Sequence, residues 1–202
     1  MSGSDPKAVL QRYLQAGRDA IVWKLDGLGE YDVRRPLVRT GTNLLGFVKH
    51  LAGVEAGYLG ATFGRPFPLA IPWMDDDAER NADLWARPDE TREELVELYR
   101  RVWAHGDETI AELDLDAPGR VPWWSPEHAE VTLHRILVHV ATETHRHAGH
   151  ADLVRELIDG AAGMRPGDPN IESGDDASWR AHHDRVEEAA REAAGEGVTD
   201  RS

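Results

Sequence analysis

The 202-residue sequence contains no cysteine. This absence excludes disulfide bonds, a cysteine nucleophile and any metal site built on thiolate ligands. If the chain takes part in thiol chemistry, the sulfur atom must therefore arrive with a substrate.

Positive charge is also scarce. The sequence has 23 lysine and arginine residues but 37 aspartate and glutamate residues, which gives a formal net charge of −14 at pH 7. Nucleic-acid phosphates and anionic lipid surfaces both attract basic proteins. The charge therefore predicts a protein with neither nucleic-acid nor membrane partners. Lysine is especially rare, since only Lys7, Lys24 and Lys49 occur, and we associate this arginine bias with GC-rich genomes.

Long apolar runs are absent as well. No stretch approaches the roughly 20 apolar residues that a membrane-spanning helix needs. The opening residues, MSGSDPKAVL, lack the basic start and apolar run of a secretory signal peptide. We therefore expect a soluble, cytoplasmic protein, and the 41% apolar and 30% charged residues suit a globular fold.

Apolar residues recur at helical spacing in four segments of the chain. These segments are Pro6 to Leu28, about Thr42 to Gly60, about Pro88 to Leu113, and Pro126 to Gly160. Thr42 and Asn43 are suitable caps for the second segment, and Thr91 with Glu94 has the spacing of a capping box in the third. No run of alternating residues predicts a convincing strand.

A stretch rich in glycine, proline and aspartate follows from 161 to about 177, and SWRAHHDRVEEAAREAA (178–194) predicts one more, polar helix. The sequence therefore predicts an all-α protein. We expect residues 1–160 to form an antiparallel four-helix bundle. Residues 161–202 are predicted to form a linker and a short C-terminal helix that packs on or near the bundle.

Four of the ten histidines fall within residues 139–150, HVATETHRHAGH, in the last predicted bundle helix. Each helical residue advances by about 100° around the helix axis. On that wheel the apolar stripe consists of Ile136, Val140, Thr144, Ala151, Val154 and Ile158. His147 falls inside this stripe, and Glu143 lies one turn earlier on the same side. The other histidines of this helix lie at the edge of the stripe (His139 and His150) or on the opposite, solvated face (His134 and His145).

A glutamate on a core-facing stripe is costly to bury unless it has a partner. Glu143 and His147 stand four residues apart, so their side chains can meet above one helical turn. The pair either forms a hydrogen bond within the core or supplies half of a metal site. A third ligand would have to come from another helix, where His50 is flanked by apolar residues at helical spacing. A single histidine in such a position is more often packed in the core than bound to a metal.

The segments FVKHLAGVE (47–55) and ETHRHAGHADLVRELIDG (143–160) resemble the DinB-like superfamily of metal-binding four-helix bundles. More narrowly, they are similar to its mycothiol-dependent branch, which contains the mycothiol S-transferases and mycothiol-dependent maleylpyruvate isomerase. The similarity spans nearly the whole chain, including the Trp-Trp loop and the tryptophan-bearing C-terminal helix.

The resemblance implies a metal site made of His50, Glu143 and His147. The superfamily commonly uses three histidines, and Glu143 replaces the first histidine of the last pair, as a glutamate does in the isomerase. It further implies zinc, with Fe²⁺ or Ni²⁺ as alternatives, and mycothiol as the thiol co-substrate. The isomerase has an additional C-terminal domain, whereas only a linker and a short predicted helix follow Gly160 here. The resemblance therefore favours a transferase that uses the bundle alone.

Three protein ligands leave one position open, as in catalytic zinc sites. A thiol bound there is held as the thiolate, which attacks a small electrophile. Two histidines at the edge of the site are predicted to accept the thiol proton: His139 and His150. Residues predicted to line the electrophile pocket are Trp123, Trp124, Trp73 and Arg146. Glu55 and Asp152 are candidate hydrogen-bond acceptors behind the ligands, or else ion-pair partners of Arg146 or Arg155.

Two other classes of protein use the same ligands. Two histidines and one carboxylate also bind iron in the non-haem Fe(II) oxygenases. A metal-stabilised bundle without catalytic activity is the third possibility. In the favoured class the partners are a small electrophile and a low-molecular-weight thiol, and the protein is a monomer or a homodimer.

Overall fold

The computed structural model describes residues 5–168 and 174–195, and the chain divides after Asp168 into two compact units. Most of the described residues are helical, as the sequence predicts. Residues 1–4, 169–173 of the predicted linker, and 196–202 lie outside the described residues. No helix in the described ranges is long and apolar enough to cross a membrane.

The first unit contains four long helices: α1 (Pro6–Trp23), α3 (Leu44–Glu55), α4 (Arg92–Glu112) and α6 (Leu133–Asp159), with the short α2 (Glu30–Arg34) between the first two. Asn43 caps α3 through Gly46 N–H, and Thr91 and Glu94 form a capping box at the start of α4. Gly160 ends α6 in the left-handed conformation, which glycine adopts without strain. These predicted helix boundaries are confirmed.

The long helices pack through their apolar faces, α1 along α6, α3 along α4, and α3 also against α6. The predicted stripe of α6 is buried from Ile136 to Val154, and Ile158 is partly buried at its end. Leu14 and Ile21 of α1 and Leu51 of α3 are fully buried. Removal of these side chains from water supplies most of the driving force for this packing.

Three helix boundaries differ from the prediction. The first helix ends at Trp23 rather than Leu28, because the chain turns at Gly27 with a positive φ of 76° before α2. The second helix ends at Glu55 and continues as a π-helical turn, Ala56–Gly60, and a 3₁₀ turn, Ala61–Phe63. The last bundle helix begins only at Leu133, after a separate short helix α5 (Pro126–Ala129).

The prediction that no strand would form is wrong at one place. β1 (Pro118–Arg120) pairs antiparallel with β2 (Glu130–Thr132), and Gly119 lies opposite Val131. A side chain at Gly119 would overlap the ring of Phe63, so this glycine lets the ribbon lie against the preceding turn. Three-residue strands are too short to produce a recognisable alternation in sequence.

A long connection runs between α3 and α4, and after the turn at Ala61–Phe63 it contains two further 3₁₀ turns, Pro72–Met74 and Ala82–Leu84. The second of these turns packs against α3. The second unit contains α7 (Asp176–Ala193), capped by the Asp175 side chain, which accepts from Ser178 N–H. The predicted C-terminal helix is therefore present.

Candidate metal centre

Helices α3 and α6 bring together the three side chains that the resemblance implies as metal ligands, His50, Glu143 and His147. One potential ligand atom from each lies within 4.8 Å of the other two. His147 Nε2 is 3.0 Å from Glu143 Oε1, and His50 Nε2 is 3.6 Å from the same oxygen. The side chains are 15%, 20% and 31% exposed for His147, His50 and Glu143, so the cluster is accessible from one side.

The local sequence explains why these groups converge. Glu143 and His147 are one turn apart on α6, flanked by the buried residues Val140, Thr144 and Ala148, which fix that face of the helix against the core. His50 precedes the fully buried Leu51 on α3, and its ring lies 4.9 Å from that of His147. The two helices contact each other, so the three side chains meet at the edge of their interface.

A fourth residue, Asp83, was not predicted from the sequence. Its Oδ2 lies 2.7 Å from His50 Nδ1, the ring nitrogen that faces away from Glu143. Metal-binding histidines usually donate their second N–H to such an acceptor. Asp83 is 33 residues from His50 and sits in an irregular connection, where no helical spacing relates it to the site.

The proton positions of this cluster favour a cation at its centre. With Asp83 as acceptor, His50 carries its proton on Nδ1 and presents the lone pair of Nε2 to Glu143 Oε1. Lone pairs that face each other repel unless a proton or a metal ion lies between them. Two imidazole nitrogens and a carboxylate oxygen are ligands that zinc accepts, so the residues present fit a zinc ion.

The electrostatics of the cluster favour the forms that bind metal. Burial and the neighbouring His50 lower the pKa of His147, although Glu143 acts in the opposite direction. Burial acts to raise the pKa of Glu143, but His147 and His50 together hold this pKa below its usual value. A neutral imidazole and an ionised carboxylate are therefore both favoured at neutral pH, as metal binding requires.

His150 borders the cluster on its exposed side. Its ring is 5.6 Å from that of His147 and stacks on Phe47 at 6.2 Å. Phe47 also contacts the His147 ring, at 5.1 Å, and so separates the cluster from the core. His150 is exposed, in agreement with its predicted position at the edge of the apolar stripe.

An aromatic cluster lies one helical turn before Glu143 and is made of His139, Tyr58, Trp123 and Trp124. The ring of His139 is 4.6 Å from Tyr58 and 5.2 Å from Trp124. The Tyr58 hydroxyl accepts from both indole N–H groups, at 3.0 Å from Trp124 and 3.3 Å from Trp123. The π-helical turn carries Tyr58 into this cluster, and the preceding Gly57 leaves room for the Trp123 ring.

The other two predicted pocket residues lie elsewhere. Trp73 packs on α3 beside Gly53, and Lys49 Nζ lies 4.6 Å from the centre of its ring. Arg146 is exposed on α6, and within the described ranges no hydrogen bond, ion pair or ring contact joins it to the cluster. Trp73 and Arg146 therefore do not line the same pocket wall as Trp123 and Trp124.

The predicted partners of Glu55 and Asp152 are wrong. Glu55 is fully buried and accepts from Arg18 Nη2 at 2.6 Å and from the Tyr99 hydroxyl at 3.0 Å. Asp152 pairs with Lys24 at 2.7 Å rather than with Arg146 or Arg155. Both acids point towards α1, because α1 packs against α6 and also contacts α3. The spacing of residues within one helix does not reveal which helices pack together.

Of the two histidines predicted to face solvent, only His134 is exposed. His145 is half-buried, and its Nε2 lies 2.9 Å from the Tyr13 carbonyl oxygen of α1. Gly17 of α1 has no side chain, and this leaves space for the imidazole.

The comparison with known proteins gives a family match. No curated protein matches the chain. A model of the mycothiol-S-transferase family matches residues 9–160, which include the three clustered side chains, Asp83 and the aromatic cluster. Since the match covers well over half of the 202 residues, the chain belongs to the mycothiol-S-transferase family.

Proposed function

We propose that this protein is a zinc-dependent S-transferase that joins mycothiol to a small electrophile. The observation that carries the proposal is the convergence of His50 Nε2, Glu143 Oε1 and His147 Nε2 in a chain of the mycothiol-S-transferase family. Three protein ligands leave a position open for a thiol, which is typical of catalytic rather than structural zinc sites.

In the proposed transfer, the sulfur of mycothiol forms a bond to an electrophilic carbon. The leaving group departs with the electrons of the broken bond, and the thiol proton is released. When bound at the three side chains, zinc would favour the thiolate form of mycothiol. The chain contributes the pocket that orients the thiol and the electrophile, and a route for the proton.

We assign proton release to His150 in preference to His139. His150 is exposed and touches the His147 ring, so it can pass a proton from the site to water. His139 is enclosed by Tyr58 and Trp124, which suits a wall of the pocket better than a proton carrier. Together with Trp123 these rings offer flat apolar surfaces, which favour a planar or apolar electrophile.

The packing of the long helices supports the bundle that the superfamily resemblance implies. We propose that α1, α3, α4 and α6 form an antiparallel four-helix bundle within residues 1–160. The ring contacts support an antiparallel arrangement of α3 and α6. Phe47, near the start of α3, lies against His147 and His150, whereas Tyr58, just after the end of α3, lies against His139, which comes earlier in α6. In this arrangement the metal ligands lie midway along the length of the α3–α6 contact, at its edge, and the aromatic cluster lies nearer one end.

The first test is the metal content of the purified protein together with its activity. We expect about one zinc ion per chain and conjugation of monochlorobimane with mycothiol, with chloride as the leaving group, in preference to glutathione or bacillithiol. Stoichiometric iron instead of zinc would favour the oxygenase class. Absence of bound metal after growth in metal-rich medium would refute both.

Glu143→Ala tests the ligand assignment. Loss of the carboxylate should abolish zinc retention and mycothiol transfer while the helical circular-dichroism spectrum is preserved. Glu156→Ala is the matched control, because Glu156 is exposed on the same helix outside the cluster. Equal zinc content in the two variants would contradict the assignment.

A further inference from the structure

The connection between α3 and α4 places one short segment, residues 81–85, directly against the helix that carries His50. Asn81 has a positive φ of 64° and begins the 3₁₀ turn that contains Asp83. Asp83 is thereby directed at His50, whose Nδ1 it approaches to 2.7 Å. A conformation of this kind in a residue other than glycine is uncommon and requires support from its surroundings.

Two further interactions attach the segment to α3 and its N-terminal cap. Asn43 Nδ2 donates to the Leu84 carbonyl oxygen at 3.1 Å, and Lys49 Nζ donates to the Trp85 carbonyl oxygen at 3.1 Å. Lys49 is buried and is itself held by both carboxylate oxygens of Glu90, at 2.8 and 2.9 Å. The segment is therefore fixed along α3 at the two residues that follow Asp83.

Gly46 makes this close approach possible. A Cβ atom at position 46 would overlap the carbonyl group of Leu84, which is backbone and cannot move without displacing the segment. Gly46 meets His50 only as the preceding helical turn does, through the backbone of α3, and it supplies no side chain to the site. A Cβ at position 46 would act on the site by displacing residues 81–85.

We propose that Asp83 is a positioning residue for His50, held in place by the attachment of residues 81–85 to α3. By accepting the Nδ1 proton, Asp83 fixes the tautomer in which His50 Nε2 has a free lone pair directed towards Glu143 and His147. This inference rests on the proposed metal function, but it makes a separate claim about the protein without metal.

The tautomer is measured first, in the metal-free protein, from the ¹⁵N chemical shifts of the His50 ring at mildly alkaline pH. We expect the Nδ1–H form in the wild type and a shift towards the Nε2–H form in Asp83→Ala. The zinc dissociation constant is then determined by competition with a chelator. Loss of such a partner weakens metal binding by about 10- to 100-fold, and we expect a loss of this size.

Two further variants separate positioning from general damage. Asp83→Asn keeps an oxygen that accepts the Nδ1 proton but removes the charge, so its zinc affinity should fall between those of the wild type and Asp83→Ala. Gly46→Ala should weaken zinc binding in the same direction as Asp83→Ala, although residue 46 supplies no metal ligand. Gly149→Ala is the matched control, since a Cβ at this exposed helical glycine meets nothing within 4 Å.

An unchanged tautomer in Asp83→Ala, or a zinc affinity within about twofold of the wild type, overturns the proposal. If the alanine variants lose their helical spectrum, the nearly isosteric Asp83→Asn is used instead. A wild-type tautomer population and a wild-type zinc affinity in Asp83→Asn would then overturn the proposal. None of these measurements uses mycothiol. A failure of the transferase proposal is therefore distinguishable from a failure of this one.

Discussion

Glu143 Oε1 lies between the Nε2 atoms of two histidines, at 3.0 Å from His147 and 3.6 Å from His50. The 3.0 Å contact between His147 Nε2 and Glu143 Oε1 is a hydrogen bond, so its proton occupies space that a metal ion bound to both atoms would take. Protons and metal therefore compete for the same atoms, and metal affinity must fall on acidification. The lowered pKa of His147 means that its imidazole stays neutral at neutral pH, the form in which a ring nitrogen can bind metal.

The same pKa shift predicts how the stability of the metal-free protein depends on pH. Burial lowers the pKa of folded His147 below the unfolded value of about 6.5. As pH falls, the unfolded chain is protonated at this residue before the folded protein is, so stability present above pH 6.5 is progressively lost below it. The pKa of Glu143 is also lowered, so this carboxylate titrates only at more acidic pH.

When the pH is lowered from about 7.5 to 5.5, the free energy of unfolding should therefore fall less in His147→Gln than in the wild type. The free energy of unfolding is measured by denaturant titration of metal-free protein at both pH values. His134→Gln, which changes an exposed histidine on the same helix, should follow the wild type. Parallel losses in wild type and His147→Gln would contradict the assigned shift.

A second residue-scale prediction concerns the buried pair of Arg18 and Glu55, both fully buried in their side chains. Burial opposes the charge on Arg18, but Glu55 and Asp107 raise its pKa above the usual value, so the guanidinium stays charged. Glu55→Gln leaves that charge without its main partner. Breaking a buried ion pair in this way costs about 3 kcal/mol of unfolding free energy.

Thermal and denaturant unfolding of Glu55→Gln measure this cost. Glu130→Gln is the control, because it breaks an exposed pair with Arg120 that is worth at most about 1 kcal/mol. Equal losses in the two variants would show that the buried pair contributes no more than a surface pair.

At the scale of elements, the four long helices followed from apolar spacing and capping residues, and Glu143 and His147 were placed correctly because both belong to one helix. The partners of Glu55, Asp152 and His145 could not be predicted, since they lie on other helices and helical spacing carries no information on helix pairing. Asp83 was missed for a related reason: its 3₁₀ turn has no periodic pattern and is positioned by contacts with α3. The sequence thus predicted which groups could bind metal, but not which group orients them.

The π-helical turn Ala56–Gly60 is the element that distinguishes α3 from a regular helix. Such turns are rare and are frequently found at functional sites. Here the turn carries Tyr58 to the two tryptophans, whose indole N–H groups both donate to its hydroxyl.

Tyr58→Phe should therefore loosen the proposed electrophile wall without removing its apolar surface. We expect KM for monochlorobimane to rise severalfold with little change in kcat, and the unfolding free energy to fall by about 1 kcal/mol because two N–H groups lose their acceptor. Tyr13→Phe is the control, since the Tyr13 side chain is 60% exposed on α1. A fall in kcat at unchanged KM would instead place Tyr58 in the chemical step.

At the scale of the whole molecule, the candidate metal centre lies at the edge of the apolar helical core. The three ligands are partly exposed, whereas the core consists of buried apolar residues spread over all four long helices. The fold should therefore persist without metal, unlike small domains whose folding requires zinc. Zinc that binds the folded state alone must still stabilise it by mass action.

Thermal unfolding with and without zinc measures how far the fold depends on the metal. Removal of metal by a chelator should leave the helical circular-dichroism spectrum intact and lower Tm. At a free zinc concentration of 100 times Kd, the stabilisation is about 2.7 kcal/mol, and Tm should rise with each further increase in zinc. Glu143→Ala should show no such zinc-dependent shift, because the site has lost a ligand. Unfolding of the wild type on chelation would contradict the view that the apolar core alone maintains the fold, and an equal shift in Glu143→Ala would place the stabilising zinc at another site.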